Sequence, residues 1–413
     1  MKKMLAILLT ALMVFPMFSV SMAEDNSQIT GTLVLAHERT DLEVELKKLI
    51  ADFESEYPGV TVKLELLANY VNDITLRLMG GEAPDLMPLS DSNLPREDYL
   101  KYFLPQDDIE LTTQGLEKFT FDGVVLGYAQ QVDYDCFMYN KKIWAAAGIE
   151  TLPTTFEELI EDLEMIKDYD DSIIPLTSQY KTSWAIARWL QNHDSAFLPG
   201  GFFNWASETE DVFSNEIIVS TLDYLREMNE KGLLDPDLMS SDWDLQSSDF
   251  AAGKIATYNA GTYANGTMLA LGFPQEDIGF FAYPDPLGSG NTAVNVGVGD
   301  ALFINKNTAY PEAAKAFVEF YIRNYANYTG QISGVIGEPC AIDGINTMLD
   351  AGCDVINQPG TTDKALAIRK TAAINMGTVV QEYLIAEEDQ LPEIIEKYNA
   401  IWNAAIAENA AMN

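Results

Sequence analysis

Apolar residues recur along the chain at two spacings. Over residues 60–66, Val60, Val62, Leu64 and Leu66 alternate with Thr61, Lys63 and Glu65, the period of a strand with one buried face. Over 42–55, Leu42, Leu46, Leu49, Ile50 and Phe53 fall on one face of a helix, which Tyr57-Pro58-Gly59 ends. With the short apolar run 32–36 in front, these make a strand, helix, strand unit, the usual start of an open α/β sheet. A helical patch at 71–79 follows, then Gly80-Gly81-Glu82-Ala83-Pro84, whose paired glycines and proline predict a turn. Residues 123–139, rich in Val, Tyr and Phe and bounded by Gly123 and Asn140, read as one or two strands. An amphipathic patch over 142–147 stops at Gly148. Thr154 and Thr155 each stand three residues before a glutamate, Glu157 and Glu158, which is capping-box spacing, and Phe156, Leu159, Ile160 and Leu163 continue at helical period. Further strands are predicted at 172–178, 278–283 and 295–304. Helices are predicted at 184–190, at 215–234, from Pro311 with Ala314, Phe317, Val318 and Tyr321 facing inward, and from 361 to the C-terminus.

With 413 residues, 47% of them apolar, the chain exceeds one core and predicts two domains. Residues 1–23 carry Lys2 and Lys3, an apolar run over 4–20 and the small-residue site Ser21-Met22-Ala23. The run contains Pro16 and ends in a cleavage-like site rather than a stop-transfer pattern, so an export signal cut before Glu24 is expected. Sixty-three acidic against 25 basic residues leave a formal net charge of −38, which disfavours nucleic acid and anionic lipid as partners.

The chain has no Gly-x-Ser-x-Gly elbow, His-Glu-x-x-His run or Walker loop. His37 and His193 are its only histidines, and Cys136, Cys340 and Cys353 have no zinc spacing, so neither metal nor cofactor is expected. Cys340 and Cys353 are spaced equally well for a short bridged loop or for two free thiols. A secreted glycosidase would also show acids and aromatics around a cleft, but its pair of carboxylates cannot be picked out among 63 acidic residues.

Several segments occur in an order that resembles the family 1 extracellular solute-binding proteins, the maltodextrin-binding-protein-like receptors of ABC importers. They are Gly81-Glu82-Ala83-Pro84-Asp85, Tyr139-Asn140-Lys141 with Ala147-Gly148-Ile149, Pro153-Thr154-Thr155-Phe156, Asp249-Phe250-Ala251-Ala252-Gly253-Lys254-Ile255-Ala256, and Gly261-Thr262-Tyr263. The resemblance implies a type II, two-lobed periplasmic-binding-protein fold: two α/β domains joined by a hinge, with the ligand cleft between them. Lobe one would comprise 24–131 plus 299–345, and lobe two 132–298 plus 346–413. Many relatives carry a lipidated cysteine after the signal, whereas the first cysteine here is Cys136, so an exported protein of the periplasm or extracellular face without that anchor is expected.

His37, Glu38 and Arg39 end the first predicted strand, the edge at which α/β sheets bind ligands. The resemblance adds Ser90 and Asp91 from the segment 88–91, Asp133 as a sugar-facing acid, Tyr180 and Trp184 as second-lobe aromatics, and Tyr263 as a ring that stacks on a sugar. Lys181 stands where the maltodextrin receptors carry an aromatic, a departure from their pattern. The function so implied is a monomeric, non-enzymatic receptor that hands a sugar or oligosaccharide to an ABC permease; the alternatives are a secreted glycoside-active enzyme and the same fold serving a non-sugar solute.

Overall fold

The computed structural model describes residues 26–91, 93–338, 340 and 342–412; the expected export signal and Glu24 lie outside them. Among the described residues no helix is long and apolar enough to cross a membrane. The first sheet runs in the order Val60–Leu66, Gly31–His37, Leu86–Leu89, Ala301–Ile304, Gly127–Ala129. Its first three strands are parallel, Ala301–Ile304 runs antiparallel to them, and Gly127–Ala129 pairs antiparallel with Ala301–Ile304. Helices Glu43–Glu56 and Pro311–Thr329 cover one face, packing Leu46, Phe53, Phe317 and Tyr321 on Leu33 and Leu35. Helices Tyr70–Gly80 and Arg96–Tyr102 cover the other, with Ile74, Leu78 and Tyr99 against Met87 and Leu89. Covered on both sides, Leu86–Leu89 is buried at every residue, whereas the edge strand Val60–Leu66 begins with the alternation read above.

The second lobe is built on a sheet ordered Ile278–Phe281, Phe137–Asn140, Ile255–Asn259, Ile174–Thr177. Phe137 and Met138 point to opposite faces of it. Phe137 joins the core made by helices Phe156–Tyr169, Glu216–Glu230, Met376–Ile385 and Leu391–Met412, and Met138 joins one that includes Ile345 and Met348. The capping residues act as a staggered pair: Thr155 Oγ1 accepts from the Glu158 N–H at 3.1 Å, and the Glu158 carboxylate accepts from the Thr154 N–H at 2.7 Å. Gly148, at φ +86°, takes the left-handed conformation that ends the helix Lys141–Ala146.

A third sheet joins the lobes. Its path is Tyr283–Pro284, Thr292–Val298, Gln131–Asp135, Ile332–Ser333, with Asp354–Asn357 added on Thr292–Val298. Gln131–Asp135 continues from the first-sheet strand Gly127–Ala129, Thr292–Val298 leads into Ala301–Ile304, and Ile332–Ser333 follows the helix Pro311–Thr329. Three passages between the lobes thus lie side by side, in register at Gly297↔Asp133 and Ile332↔Val132.

The structure redraws three predicted elements. The strand expected over 295–304 is two strands in different sheets, broken at Gly299-Asp300, because the chain changes lobe there. Residues 123–139 form short pieces for the same reason. The helix expected over 184–190 is one α turn, Ser183–Ile186, followed by a π-helical turn, Trp189–His193. All three cysteines are free thiols, Cys136 buried and the other two half-buried.

Candidate functional site

The carboxyl end of Gly31–His37 opens on the space between the lobes, because that strand lies inside the first sheet and its next residues must leave it. Glu38 and Arg39 emerge there and meet Asp133 on the middle strand of the joining sheet, Tyr263 beyond the second-lobe strand Ile255–Asn259, and Asp300 at the break between passages. With Gln130, Gln131 and Tyr325 they line a cavity of about 210 Å³.

Each side chain is set by partners behind it. Arg39 forks onto Asp41, its Nε and Nη2 each donating at 2.8 Å. Nη2 also donates to Thr267 Oγ1 of the second lobe at 3.3 Å, and that hydroxyl donates to Asp41 Oδ2 at 2.9 Å, so this cluster spans both lobes. Gln131 Nε2 donates to both Asp133 oxygens, at 3.0 and 2.8 Å. Arg188 donates to Asp135 Oδ1 at 2.8 Å, and its guanidinium lies 5.2 Å from the centre of the Tyr263 ring, fixing that ring from below.

Both guanidinium groups make their ion pairs with Asp41 and Asp135, and the charges of Arg39 on Glu38 and of Arg39 and Arg188 on Asp133 only partly offset the burial of those carboxyls. Burial raises Asp133 to about 6, opposed by the Gln131 hydrogen bond. Burial also raises Glu38 and Asp300, and the charges of Glu38, Asp133 and Asp91 add to the rise at Asp300.

Two polar atoms at the cavity are buried without a partner among the described residues, Glu38 Oε2 and Tyr263 Oη. Glu38 Oε2 is 3.3 Å from His37 Nδ1, but that nitrogen already accepts the Arg39 backbone N–H at 3.1 Å and has no proton to give. A buried polar atom left unpaired costs about 1–3 kcal/mol, so such a pair marks a place for something that supplies hydrogen bonds.

Of the residues singled out from sequence, Glu38, Arg39, Asp133 and Tyr263 come together here. His37 is set behind the wall, fully buried, and burial holds it down to about 3. Its Nε2–H donates to Tyr321 Oη at 2.9 Å, which donates to Gln130 Oε1 at 2.6 Å, so it orients a lining amide rather than lining the cavity. Asp91 borders a separate, larger trough. The Ser90 backbone is held within the first lobe, its N–H donating to Asn93 Oδ1 at 2.7 Å and its carbonyl accepting from Tyr99, and Ser90 is not among the residues that line the cavity. Tyr180 is buried in the second-lobe core, its hydroxyl donating to the Gln381 carbonyl. Trp184 lies open, 52% exposed, with its ring 6.3 Å from Tyr263 and 5.0 Å from Trp243.

Sequence reasoning did not find Gln130, Gln131, Asp300, Tyr325 or Trp243. Tyr325 stands one helical turn after Tyr321, a spacing that belongs to the buried face of the helix, and Asp300 carries no signal beyond its place after Gly297 and Gly299. No cluster of ligating side chains that could hold a metal occurs among the described residues. The site offers carboxyl and amide groups beside the half-buried ring of Tyr263, with the exposed indole of Trp184 next to that ring, an arrangement suited to a polyhydroxylated solute with apolar ring faces.

The chain resembles known proteins along most of its length. The chain is 24% identical over 358 residues to the multiple sugar-binding protein of Streptococcus mutans, covering 83% of each. It is 23% identical over 350 residues to the diacetylchitobiose binding protein DasA of Streptomyces coelicolor, covering 82% of this chain and 80% of the relative. Among solved structures, an ABC-transporter binding protein of Bifidobacterium animalis subsp. lactis in complex with mannobiose superposes with a TM-score of 0.80 at 22% identity, over 94% of this chain and 98% of that one, and shows the shared two-lobed fold. The sequence profile named bacterial extracellular solute-binding protein matches residues 38–327, a span running from the first cavity residue, Glu38, to the helix that carries Tyr325. The chain belongs to the bacterial extracellular solute-binding protein family.

Proposed function

We propose that this protein captures a saccharide between its lobes and presents it to the permease of an ABC importer. The observation that carries the reading is the pair of unpartnered atoms, Glu38 Oε2 from one lobe and Tyr263 Oη from the other, at a single cavity. A sugar hydroxyl can donate to the first and accept from the second, and a pyranose face can pack on the Tyr263 ring. The sugar-binding relatives and the mannobiose complex support the same class of solute. A solute that touches both lobes favours the closed arrangement by its differential affinity, and the Arg39, Asp41 and Thr267 cluster gives that arrangement a contact of its own.

Export by the signal at 1–23 without an N-terminal cysteine anchor, and a monomeric state, belong to this proposal. So does the lobe division 24–131 plus 299–345 and 132–298 plus 346–413. Packing of Ile342, Ile345 and Met348 in the second-lobe core supports drawing the last boundary back to the strand Ile332–Ser333.

Thermal-shift and calorimetric titration with mannobiose, mannotriose, raffinose and N,N'-diacetylchitobiose test the reading. At least one should raise the melting temperature and bind, without new reducing ends on long incubation. Release of reducing ends would make the protein a hydrolase, and no response across the panel would remove saccharide capture.

A further inference from the structure

Tyr263 reaches the cavity from a cluster of three rings. Trp243 stacks on it at 28°, with centroids 5.8 Å apart, and Trp184 stands 5.0 Å from Trp243 and 6.3 Å from Tyr263. The two indoles come from different segments: Trp243 opens the helix Trp243–Ala251, and Trp184 lies in the single turn Ser183–Ile186. Helices this short do not hold their shape unaided, so the placement of both rings depends on the residues before them.

Those residues converge on one buried carboxylate. Asp235, 6% exposed, follows the helix Glu216–Glu230 and is not among the residues that line the cavity. Its Oδ2 accepts from the Ser178 N–H and Oγ, each at 2.6 Å, and from Ser241 Oγ at 3.0 Å; its Oδ1 accepts from Gln246 Nε2. Ser178 stands in the loop before Trp184, Ser241 in the loop before Trp243, and Gln246 on the helix that Trp243 opens. The donors that satisfy the buried carboxylate thus come from the two ring-bearing segments. The loops are also tied to each other. The Lys181 N–H donates to the Ser241 carbonyl at 2.9 Å, and the Trp243 N–H donates to Thr182 Oγ1 at 2.9 Å, while the Thr182 carbonyl accepts from Ala185 and Ile186 and so closes the turn that carries Trp184. Between Ser178 and Thr182, Gln179 is held at φ +55°, a left-handed conformation that a residue other than glycine keeps only where its surroundings over-determine it.

We propose that Asp235 is a positioning residue of the binding site: without touching the solute, it sets the two loops against each other and so holds Trp243 on Tyr263. The assignment rests on the saccharide reading above, in which the Tyr263 ring packs on the solute. The role belongs to hydrogen-bond geometry rather than to charge. Asparagine can keep its oxygen toward Ser178 and Ser241 and point its NH2 at Gln246, whose Oε1 is buried without a partner and becomes the acceptor once that amide turns. Alanine removes both oxygens and leaves the buried Ser178 N–H unpaired.

Circular dichroism and calorimetry of the whole protein test this. Two indoles 5.0 Å apart and inclined at 49° couple as excitons, giving a far-ultraviolet couplet that Trp184→Phe abolishes and so assigns. Asp235→Ala should weaken that couplet in the ligand-free protein and lower affinity about tenfold for the saccharide that wild type binds most tightly. The milder Thr182→Val, which removes the acceptor of the Trp243 N–H, should do the same. Asp235→Asn should keep the couplet and an affinity within about threefold of wild type. Leu222→Ala, which removes packing from the second-lobe core, should lower the urea midpoint and leave both readings at the wild-type level. The assignment is overturned if Asp235→Ala and Thr182→Val lower only the urea midpoint, as a merely structural role would, or if Asp235→Asn fails as alanine does. Should Asp235→Ala not fold, Thr182→Val and Asp235→Asn decide alone. Absence of saccharide binding by wild type overturns the proposed function and the binding role of Asp235 with it, while the couplet still reports whether Asp235 sets the rings.

Discussion

Asp133→Asn should separate what the site does for the empty protein from what it does for the solute. Asp133 is held at about 6 in the folded chain, against the usual carboxylate value of 3.8, chiefly because it is buried. The folded state therefore binds the proton more tightly than the unfolded state does. Its contribution is fully present at pH below about 3.8 and is lost as pH rises through about 6. The gap corresponds to about 3 kcal/mol of stability forgone at neutral pH. Asparagine cannot ionise, and Gln131 can turn its amide to keep one hydrogen bond to it. The ligand-free variant should accordingly be more stable than wild type by up to about 3 kcal/mol at pH 7.5, and the two should differ little at pH 4. Saccharide affinity at pH 7.5 should fall about tenfold, because a charged acceptor has been exchanged for a neutral one. Urea denaturation at the two pH values, with titration of the tightest saccharide at pH 7.5, reads both quantities. A variant no more stable at pH 7.5 than wild type, or equally stabilised at pH 4, would refute the claim that ionised Asp133 is carried at a cost for ligand.

Other substitutions follow from the same contacts. Tyr263→Ala should cost about 1–3 kcal/mol of saccharide binding, tenfold or more in calorimetric affinity, and unchanged affinity would take the ring out of the site. Arg188→Met leaves Asp135 without its cation and should lower stability to denaturant by about 3 kcal/mol, with a loss under 1 kcal/mol counting against that ion pair. Alkylation without reductant should add two adducts to the native protein, at Cys340 and Cys353, and a third at Cys136 only after unfolding; intact mass showing none on the native chain would indicate a bridge.

The elements that pack within one lobe could be read from the chain because burial there has a fixed period. Leu46, Leu49, Ile50 and Phe53 face one core, and the helix Glu43–Glu56 formed where they predicted it. The passages between lobes could not be read this way. Residues on both sides of Gly299-Asp300 are apolar for different sheets, so periodicity joins what the fold separates. The site divides along the same line. Glu38 and Arg39 follow a strand end, a place that topology alone marks for ligands, whereas Asp300 and Gln131 belong to the joining sheet and reach the cavity only through long-range pairing. His37 carries a further lesson: a polar residue at a strand end can serve the site from behind, here through Tyr321 and Gln130. Trp243 opens the helix Trp243–Ala251, and nothing in its neighbours tells that its ring stacks on Tyr263.

Hydrogen–deuterium exchange with and without a saturating saccharide tests most directly whether one solute is held by both lobes. The account predicts that protection rises together in the segment 38–42, which carries Glu38 and Arg39, and in 261–267, which carries Tyr263 and Thr267. Protection confined to one of the two segments, with a saccharide bound, would contradict it.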